Sequence, residues 1–184
     1  METLSKTLNG FSLEGITNVV SAIQQNSEIA KFELRANNNW ITGGHNKSTI
    51  QGFYGACQED TSREIPFVYE NDEPPVLLGN NKGANPAEVI LHGLLGCMTT
   101  SMVLLASAHG IAVSGVTSRV EGDFDLRGFL GLDASVEKGS QQIRVVFDVE
   151  GVSDEQKLEL LNLAKQSPVY NTILNPTDVR VSIQ

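Results

Sequence analysis

The chain has few cysteines, histidines and aromatic residues for its length. Its 184 residues include two cysteines, three histidines and one tryptophan. Two cysteines do not make a disulfide framework, and three scattered histidines show no metal-ligand spacing, so we expect neither a disulfide-rich scaffold nor a bound metal. The first residues, Met1 to Lys6, contain no apolar signal stretch. Together these features favour a cytoplasmic protein with reduced thiols.

Positive charge is also scarce. The chain carries 13 Lys and Arg against 22 Asp and Glu, a net charge of -9. An excess of acidic residues disfavours nucleic acids and anionic membrane surfaces as partners, and we expect neither. No phosphate-binding glycine loop, dinucleotide fingerprint or Gly-x-Ser-x-Gly motif occurs, so no cofactor is expected.

One long apolar run stands out between Asn85 and Gly110. Asn85 is a good N-cap, Pro86 suits the first helical turn, and Glu88 completes a capping box. The run predicts a helix of about 24 residues that ends near Gly110. Its apolar residues lie on every face, which is typical of a helix that is buried or spans a membrane.

Polar residues within this helix favour the buried alternative. His92, Gly96 and Thr99 interrupt the apolar run, and no cluster of Lys or Arg flanks it. A helix this long and apolar is hard to cover in a chain of this size. We therefore predict that a second copy of the chain covers it in a homodimer.

Periodicity over the rest of the chain predicts an α+β protein. Alternating apolar residues indicate strands, and apolar residues at helical spacing indicate helices. Strands followed by a long helix, more strands and a further helix are typical of this class. The predicted helices, apart from the long one, are 12–26, 153–166 and 169–174, and the predicted strands are 32–42, 48–53, 65–69, 112–125, 141–150 and 179–183, with a turn at 43–47.

Cys97 lies about halfway along the long apolar helix. Its helical neighbours on the same face include Gly93, Thr100 and Ser101, none of which carries a charge. Two interpretations stay open: a buried small hydrophobe, or a reactive thiol activated by a charge from elsewhere in the fold. Cys57, in a predicted loop, is interpreted as a small residue.

Two polar groups outside the helix are candidates for a chemical role. His45 lies in the turn predicted at 43–47 and is free to approach a distant site. Asp72 and Glu73 precede two prolines, and we interpret them as a solvated loop.

Three segments give the chain a family resemblance. The stretches Asp72–Gly79, Gly83–Cys97 and Ser167–Val169 resemble the OsmC/Ohr family of osmotically inducible and organic hydroperoxide resistance proteins. The resemblance runs from about Lys31 onwards, so we divide the chain into an N-terminal helical extension, 1–28, and an OsmC-like domain, 29–184. It implies an α+β OsmC-like fold: an antiparallel sheet with a long buried central helix, in an intertwined homodimer.

The resemblance also implies a chemistry. In the better-known members, a cysteine on the long helix reduces organic hydroperoxides and becomes a sulfenic acid, and Cys97 matches that cysteine. The family's second cysteine, in a Cys-Pro pair, is replaced by Ser167. The family arginine after Thr-Gly-Gly is replaced by His45. The acidic residue after Asn-Pro is replaced by Ala87, and Glu88 follows one position later.

These departures predict a one-cysteine thiol peroxidase in oxidative stress defence, reduced by an external thiol or dithiol. Cys97 is its predicted catalytic residue. The predicted site-lining residues are His45, Glu88, Thr100, Ser101 and Ser167.

The missing arginine and second cysteine favour an alternative. In it, the dimer is a non-catalytic protein that holds a small apolar or thiol-bearing molecule between the two long helices. A third interpretation is covalent attachment of an electrophile to Cys97.

Overall fold

The structure is a computed structural model that describes residues 6–183. In this range it contains helices and strands in an α+β arrangement, as predicted. The helices are α1 Leu13–Gln25, α2 Pro86–Ala108, α3 Leu126–Phe129, α4 Asp154–Ala164 and α5 Pro168–Leu174. The strands are β1 Thr7–Leu8, β2 Phe11–Ser12, β3 Phe32–Glu33, β4 Asn37–Thr42, β5 His45–Ile50, β6 Phe53–Gly55, β7 Gln58–Asp60, β8 Phe67–Asn71, β9 Gly115–Phe124 and β10 Ser140–Glu150.

The chain divides into two compact units. The first unit combines the residues up to Leu13 with those from Leu91 onwards, and the second unit is Glu14–Ile90. Helix α2 therefore begins in the second unit and continues into the first.

The first unit contains a hydrophobic core around α2. Leu94, Met98, Met102 and Ala106 of α2 are buried and recur every four residues, so they form one stripe along the helix. Leu160, Leu163 and Ala164 of α4 are buried in the same cluster, and Val145, Phe147 and Val149 of β10 pack against it. Apolar and polar residues alternate along β10, so these apolar residues lie on the face of the strand that is turned towards the core, as the sequence predicts.

Strands β9 and β10 form a two-stranded antiparallel sheet in the first unit. Their register pairs Val145 with Val120 and Phe147 with Ser118. Helix α4 begins with the predicted capping box, in which the Ser153 hydroxyl accepts from the Gln156 backbone N–H and the Gln156 side chain accepts from the Ser153 N–H.

The second unit consists mainly of two three-stranded antiparallel sheets, ordered β4-β5-β8 and β3-β6-β7. Among its described residues no hydrophobic side chain is buried, and Trp40 and Phe67 are exposed. A sheet usually buries one face against another layer, so this unit has apolar surface without a core of its own.

Helix α2 agrees closely with its prediction. Glu88 Oε2 accepts from Asn85 N at 2.9 Å, as the predicted capping box requires, but the Asn85 side chain accepts from Ala87 N at 2.7 Å and not from Glu88 N, so the N-cap is confirmed and the box is half formed. Its length and composition would also suit a membrane span. Core helices of soluble proteins share these properties, and α2 carries the core stripe of the first unit.

Three expectations about local structure were wrong. His45 is not in a turn but is the first residue of β5, because the hairpin turn between β4 and β5 contains only Gly43 and Gly44. Asp72 is not a solvated loop residue, since only 1% of it is exposed. The segment 179–183 has the alternation of a strand but forms none, because no other strand pairs with it in the described chain.

Candidate functional site

Cys97 lies on the flank of the buried stripe of α2. Its thiol is free and half-buried, one residue before the buried Met98. Residues at helical spacings of three and four share its face, so Gly93, Thr100 and Ser101 are its neighbours there. The thiol is therefore more accessible than a core residue, but it is still partly shielded from water.

Two glycines leave room beside this thiol. A Cβ atom built on Gly93 or Gly96 would meet no heavy atom within 4 Å outside the local helix backbone. Gly93 is one turn before Cys97 on the same face. The helix surface next to the sulfur is thus flat and open in the single chain, and a small molecule or a second helix can approach it closely.

Two of the predicted site residues, Glu88 and Ser167, cap helices in this structure. Glu88 caps α2 through its bond to Asn85 N, and nine residues of helix place it on the opposite side from Cys97, about 13 Å along the axis. Ser167 is fully buried, and its hydroxyl accepts from Tyr170 N at 3.2 Å to cap α5. Both caps follow from local sequence, since acceptors of this kind stabilise a first helical turn.

His45 belongs to a charged cluster in the second unit. Its Nε2 lies 3.1 Å from Glu70 Oε2 on the neighbouring strand β8, and Lys47 Nζ lies 3.4 Å from Glu70 Oε1. Hydrogen bonds from His45 and Lys47 hold the pKa of the Glu70 carboxyl below its usual range. Register explains the cluster, because Lys47 pairs directly with Glu70 and His45 is two residues before it on the same face of β5.

Asp72 continues β8 with a second carboxylate. Its Oδ1 accepts from Glu73 N at 2.8 Å, and its Oδ2 accepts from Asn80 N at 2.9 Å and Lys82 N at 3.2 Å. Burial would raise the pKa of Asp72, but these backbone N–H groups, with His45 nearby, outweigh burial and leave it lowered. The carboxylate therefore organises the loop that leads into α2.

The sequence-predicted residues are thus brought together only in part. Cys97, Thr100 and Ser101 share one face of α2 in the first unit, whereas His45 lies in the second. The partner of His45, Glu70, was missed by sequence reasoning. Alternation along β8 places Glu70 on one face of that strand. No local pattern in the sequence shows that β8 pairs with β5.

No group of three or more His, Cys, Asp and Glu within residues 6–183 is arranged to hold a metal ion. Both cysteines are free thiols, and Cys57 is exposed in the turn between β6 and β7 with a positive φ of 65°.

A long apolar helix with a half-buried cysteine, carried on an antiparallel α+β scaffold, is consistent with the resemblance noted in the sequence. The family model described as OsmC-like protein matches residues 79–182. The chain belongs to the OsmC family. The matched range includes both Cys97 and Ser167.

Solved structures of OsmC proteins share this fold. An OsmC-like protein from Mycoplasma pneumoniae is 16% identical, with 77% of this chain and 87% of that chain covered and a TM-score of 0.59. The organic hydroperoxide resistance protein OsmC from Legionella pneumophila is 18% identical, with 76% and 88% covered and a TM-score of 0.54. At these identities the likeness shows the fold alone. No curated protein matches the sequence.

Proposed function

We propose that this OsmC protein is a one-cysteine thiol peroxidase that reduces organic hydroperoxides through Cys97. The observation that carries the proposal is the position of the thiol, half-buried on the central helix beside the open surface at Gly93. An organic hydroperoxide suits such a surface because it is open beside the thiol and no charged residue of α2 lies at helical spacing from Cys97. Membership of the OsmC family and the fold shared with a hydroperoxide resistance protein support the same chemistry.

The proposed reaction is a two-electron reduction. The Cys97 thiolate attacks the terminal oxygen of the hydroperoxide, so an S–O bond forms and the O–O bond breaks. The leaving alkoxide takes a proton and departs as the alcohol, and Cys97 remains as a sulfenic acid. Thr100 and Ser101 hydroxyls on the same helix face are proposed to hydrogen-bond the sulfur-bound oxygen.

An external thiol would complete the cycle. The family resemblance places Ser167 where other members have their second cysteine, and a serine hydroxyl cannot form a disulfide. The sulfenic acid would react with one small thiol to give a mixed disulfide and water, and a second thiol would release Cys97. This requirement for free thiols agrees with the proposed cytoplasmic location.

We also propose that the active form is a homodimer. The second unit has no buried hydrophobic side chain, and only 22% of the most apolar window of α2 is buried. Surfaces of this kind are typical of obligate dimer interfaces, in which a second copy supplies the missing layer. Size-exclusion chromatography with light scattering tests this, and a stable monomer at micromolar concentration would contradict it.

The test of the peroxidase is a brief pulse of cumene hydroperoxide with a sulfenic-acid trap, followed by intact mass. We expect fast trapping in the wild type and in Cys57→Ser, slower trapping with hydrogen peroxide, and none in Cys97→Ser. If wild-type Cys97 is not trapped while it still reacts with an alkylating agent, the peroxidase proposal is wrong.

One observation supports a non-catalytic binding function, at a different place from the one predicted between the long helices. A groove of about 440 Å³ in the first unit is lined mainly by apolar residues of β10 and α4, including Val145, Phe147 and Leu161, and Cys97 is not among its lining residues. Its volume is in the range of small-molecule sites. A ligand that binds equally well to wild type and Cys97→Ser would support this second function.

A further inference from the structure

The turn between β1 and β2 is an Asn-Gly pair. Asn9 and Gly10 have positive φ angles of 50° and 86°, as in the type I′ turn that closes tight hairpins. The sequence contains no other asparagine followed by glycine. Each flanking strand has two residues, and a two-stranded hairpin is at best marginally stable by itself. Contacts outside the hairpin must therefore keep this turn closed.

The side-chain amide of Asn9 makes those contacts. Its Nδ2 donates to Ser107 Oγ at 3.1 Å and to Ile111 O at 2.8 Å, and its Oδ1 accepts from Val113 N at 2.8 Å. The buried Ser107 hydroxyl also lies 3.1 Å from Leu8 O of β1. All of these residues belong to the first unit. One primary amide thus joins the hairpin to the end of α2 and the segment that follows it.

An Asn-Gly pair carries an intrinsic reaction. The backbone nitrogen that follows an asparagine can attack the side-chain amide carbon, and glycine has no Cβ to hinder the approach. Gly10 is exposed, so water and hydroxide reach it. The Asn9 amide cannot turn towards Gly10 N, however, because its nitrogen and its oxygen are both bound to the segment 107–113. The reaction therefore requires the hairpin to open first.

We propose that Asn9–Gly10 is a self-modification site, at which deamidation is gated by opening of the β1–β2 hairpin and permanently releases the end of α2. The reaction consumes only water, and it is independent of the chemistry proposed for Cys97. It makes the hairpin a one-way conformational switch, because each opening exposes the amide to a step that is not reversed.

The atoms balance without an oxidant or a reductant. Hydroxide takes the proton of Gly10 N, and the nitrogen forms a bond to Asn9 Cγ. The Cγ–Nδ2 bond breaks, and Nδ2 takes a proton from water and leaves as ammonia. Water then opens the cyclic imide at one of its two carbonyls. The product is an aspartate or an isoaspartate at position 9.

Neither product can restore the anchor. A carboxylate only accepts hydrogen bonds, so it keeps the bond from Val113 N but cannot donate to Ser107 Oγ or to Ile111 O. At Ile111 O, two acceptors would face each other where a hydrogen bond stood. An isoaspartate also adds an atom to the main chain, which disrupts the two-residue turn. Either product leaves the hairpin to close without its tie to α2.

The first test compares deamidation of the wild type in its folded state and in concentrated urea at mildly alkaline pH. Peptide mapping by mass spectrometry reports the conversion of amide to acid at each asparagine. In urea, Asn9 should react faster than Asn18, which is followed by valine. In the folded protein, Asn9 should react about 10-fold more slowly or less, since a 10-fold slowing needs only about 1.4 kcal/mol of opening free energy. Equal rates in the two states would overturn the gate.

The second test loosens the anchor without touching the reacting pair. Ser107→Ala removes one acceptor of the Asn9 amide, and it should speed deamidation in the folded protein several-fold. Ser167→Ala is the matched control, because Ser167 is also fully buried but its hydroxyl caps α5. The control should leave the Asn9 rate unchanged. If the two variants react at the same rate, the amide contacts do not hold the hairpin closed and the proposal is wrong.

The third test concerns the release of α2. At neutral pH, Asn9→Asp should show a lower urea midpoint than the wild type and faster hydrogen exchange at Val113 N, which Asn9 covers. Wild-type protein that has deamidated should show the same two changes, and it carries the test if the variant does not fold. Both properties unchanged in the deamidated protein would overturn the switch, whereas the same changes in both samples support it.

Discussion

The side chain of Asn9 is hydrogen-bonded to the hydroxyl of Ser107, 98 residues further along the chain, at 3.1 Å. Asn9 Nδ2 also donates to Ile111 O at 2.8 Å, and its Oδ1 accepts from Val113 N at 2.8 Å. Ser107 is 1% exposed at the last turn of α2. One residue of the β1–β2 turn thus satisfies three polar groups at the end of the central helix.

Asn9→Gly should destabilise the protein measurably. Asn9 has a positive φ of 50°, so glycine accepts the backbone while removing all three bonds. Because polar groups near the buried end of α2 lose their partner, we expect a loss of about 1–3 kcal/mol in urea unfolding. Asn18→Gly, at an exposed position on α1, should lose only about 0.3–0.5 kcal/mol, because asparagine is already a poor helix former compared with alanine. An equal loss in both variants would contradict the anchoring role of Asn9.

Asp72→Asn should weaken the acid sensitivity of the fold. A carboxyl whose pKa is lower in the folded state stabilises the protein above its unfolded pKa, about 3.9 for Asp. That stability is lost as the pH falls below about 4 towards the folded pKa. The variant should be less stable than the wild type at pH 7, with the difference shrinking in acid. Asp178→Asn, at an exposed ion pair, should show no such difference.

Gly79→Ala should be poorly tolerated in the loop before α2. An added Cβ would lie 1.8 Å from Glu73 O, which is backbone and cannot move aside cheaply. We expect a loss of about 1–3 kcal/mol from the forced backbone shift. At Gly139 an added Cβ would meet nothing within 4 Å, so Gly139→Ala is the matched control. Comparable urea midpoints for the two variants would show that the loop can relax.

Gly93→Leu should slow the reaction of Cys97 with large hydroperoxides. The new side chain would fill the open helix surface one turn before the thiol. Trapping with cumene hydroperoxide should fall by about 10-fold or more relative to hydrogen peroxide, since a well-filled site loses roughly 1–3 kcal/mol of substrate contact. Gly93→Ala should change the ratio little. If trapping slows equally with both hydroperoxides in Gly93→Leu, the oligomeric state of the variant should be measured. A variant that is as dimeric as the wild type would show that the substrate binds elsewhere.

Ser167→Cys should restore a second thiol at the family's Cys-Pro position. If the position corresponds as proposed, peroxide should produce a disulfide with Cys97, detectable by non-reducing peptide mapping. Thiol sulfur is a weak acceptor, so loss of the α5 cap should cost about 0.5–2 kcal/mol. Ser182→Cys, on the exposed chain end, is the control, and a disulfide formed equally by both would argue against the correspondence.

Local features of this protein were readable from the sequence. The caps of α2 and α4 join residues three apart, Asn85 to Glu88 and Ser153 to Gln156, so their chemistry needs no tertiary context. The alternation of β10 identified both the strand and its core side. The family was also recognisable, because its Asn-Pro…Cys pattern lies within one helix.

The tertiary structure decided the rest. Strand 179–183 was predicted from alternation, but a strand also needs a neighbouring edge, which the described chain does not provide. Glu70 meets His45 across 25 residues, and Asp72 meets Lys82 across 10, through strand register and loop closure. The sequence by itself determined the helix caps, the core side of β10 and the cysteine at the centre of α2, because those depend on local spacing. Which charges meet, and which polar groups are buried, depended on long-range pairing that spacing does not encode.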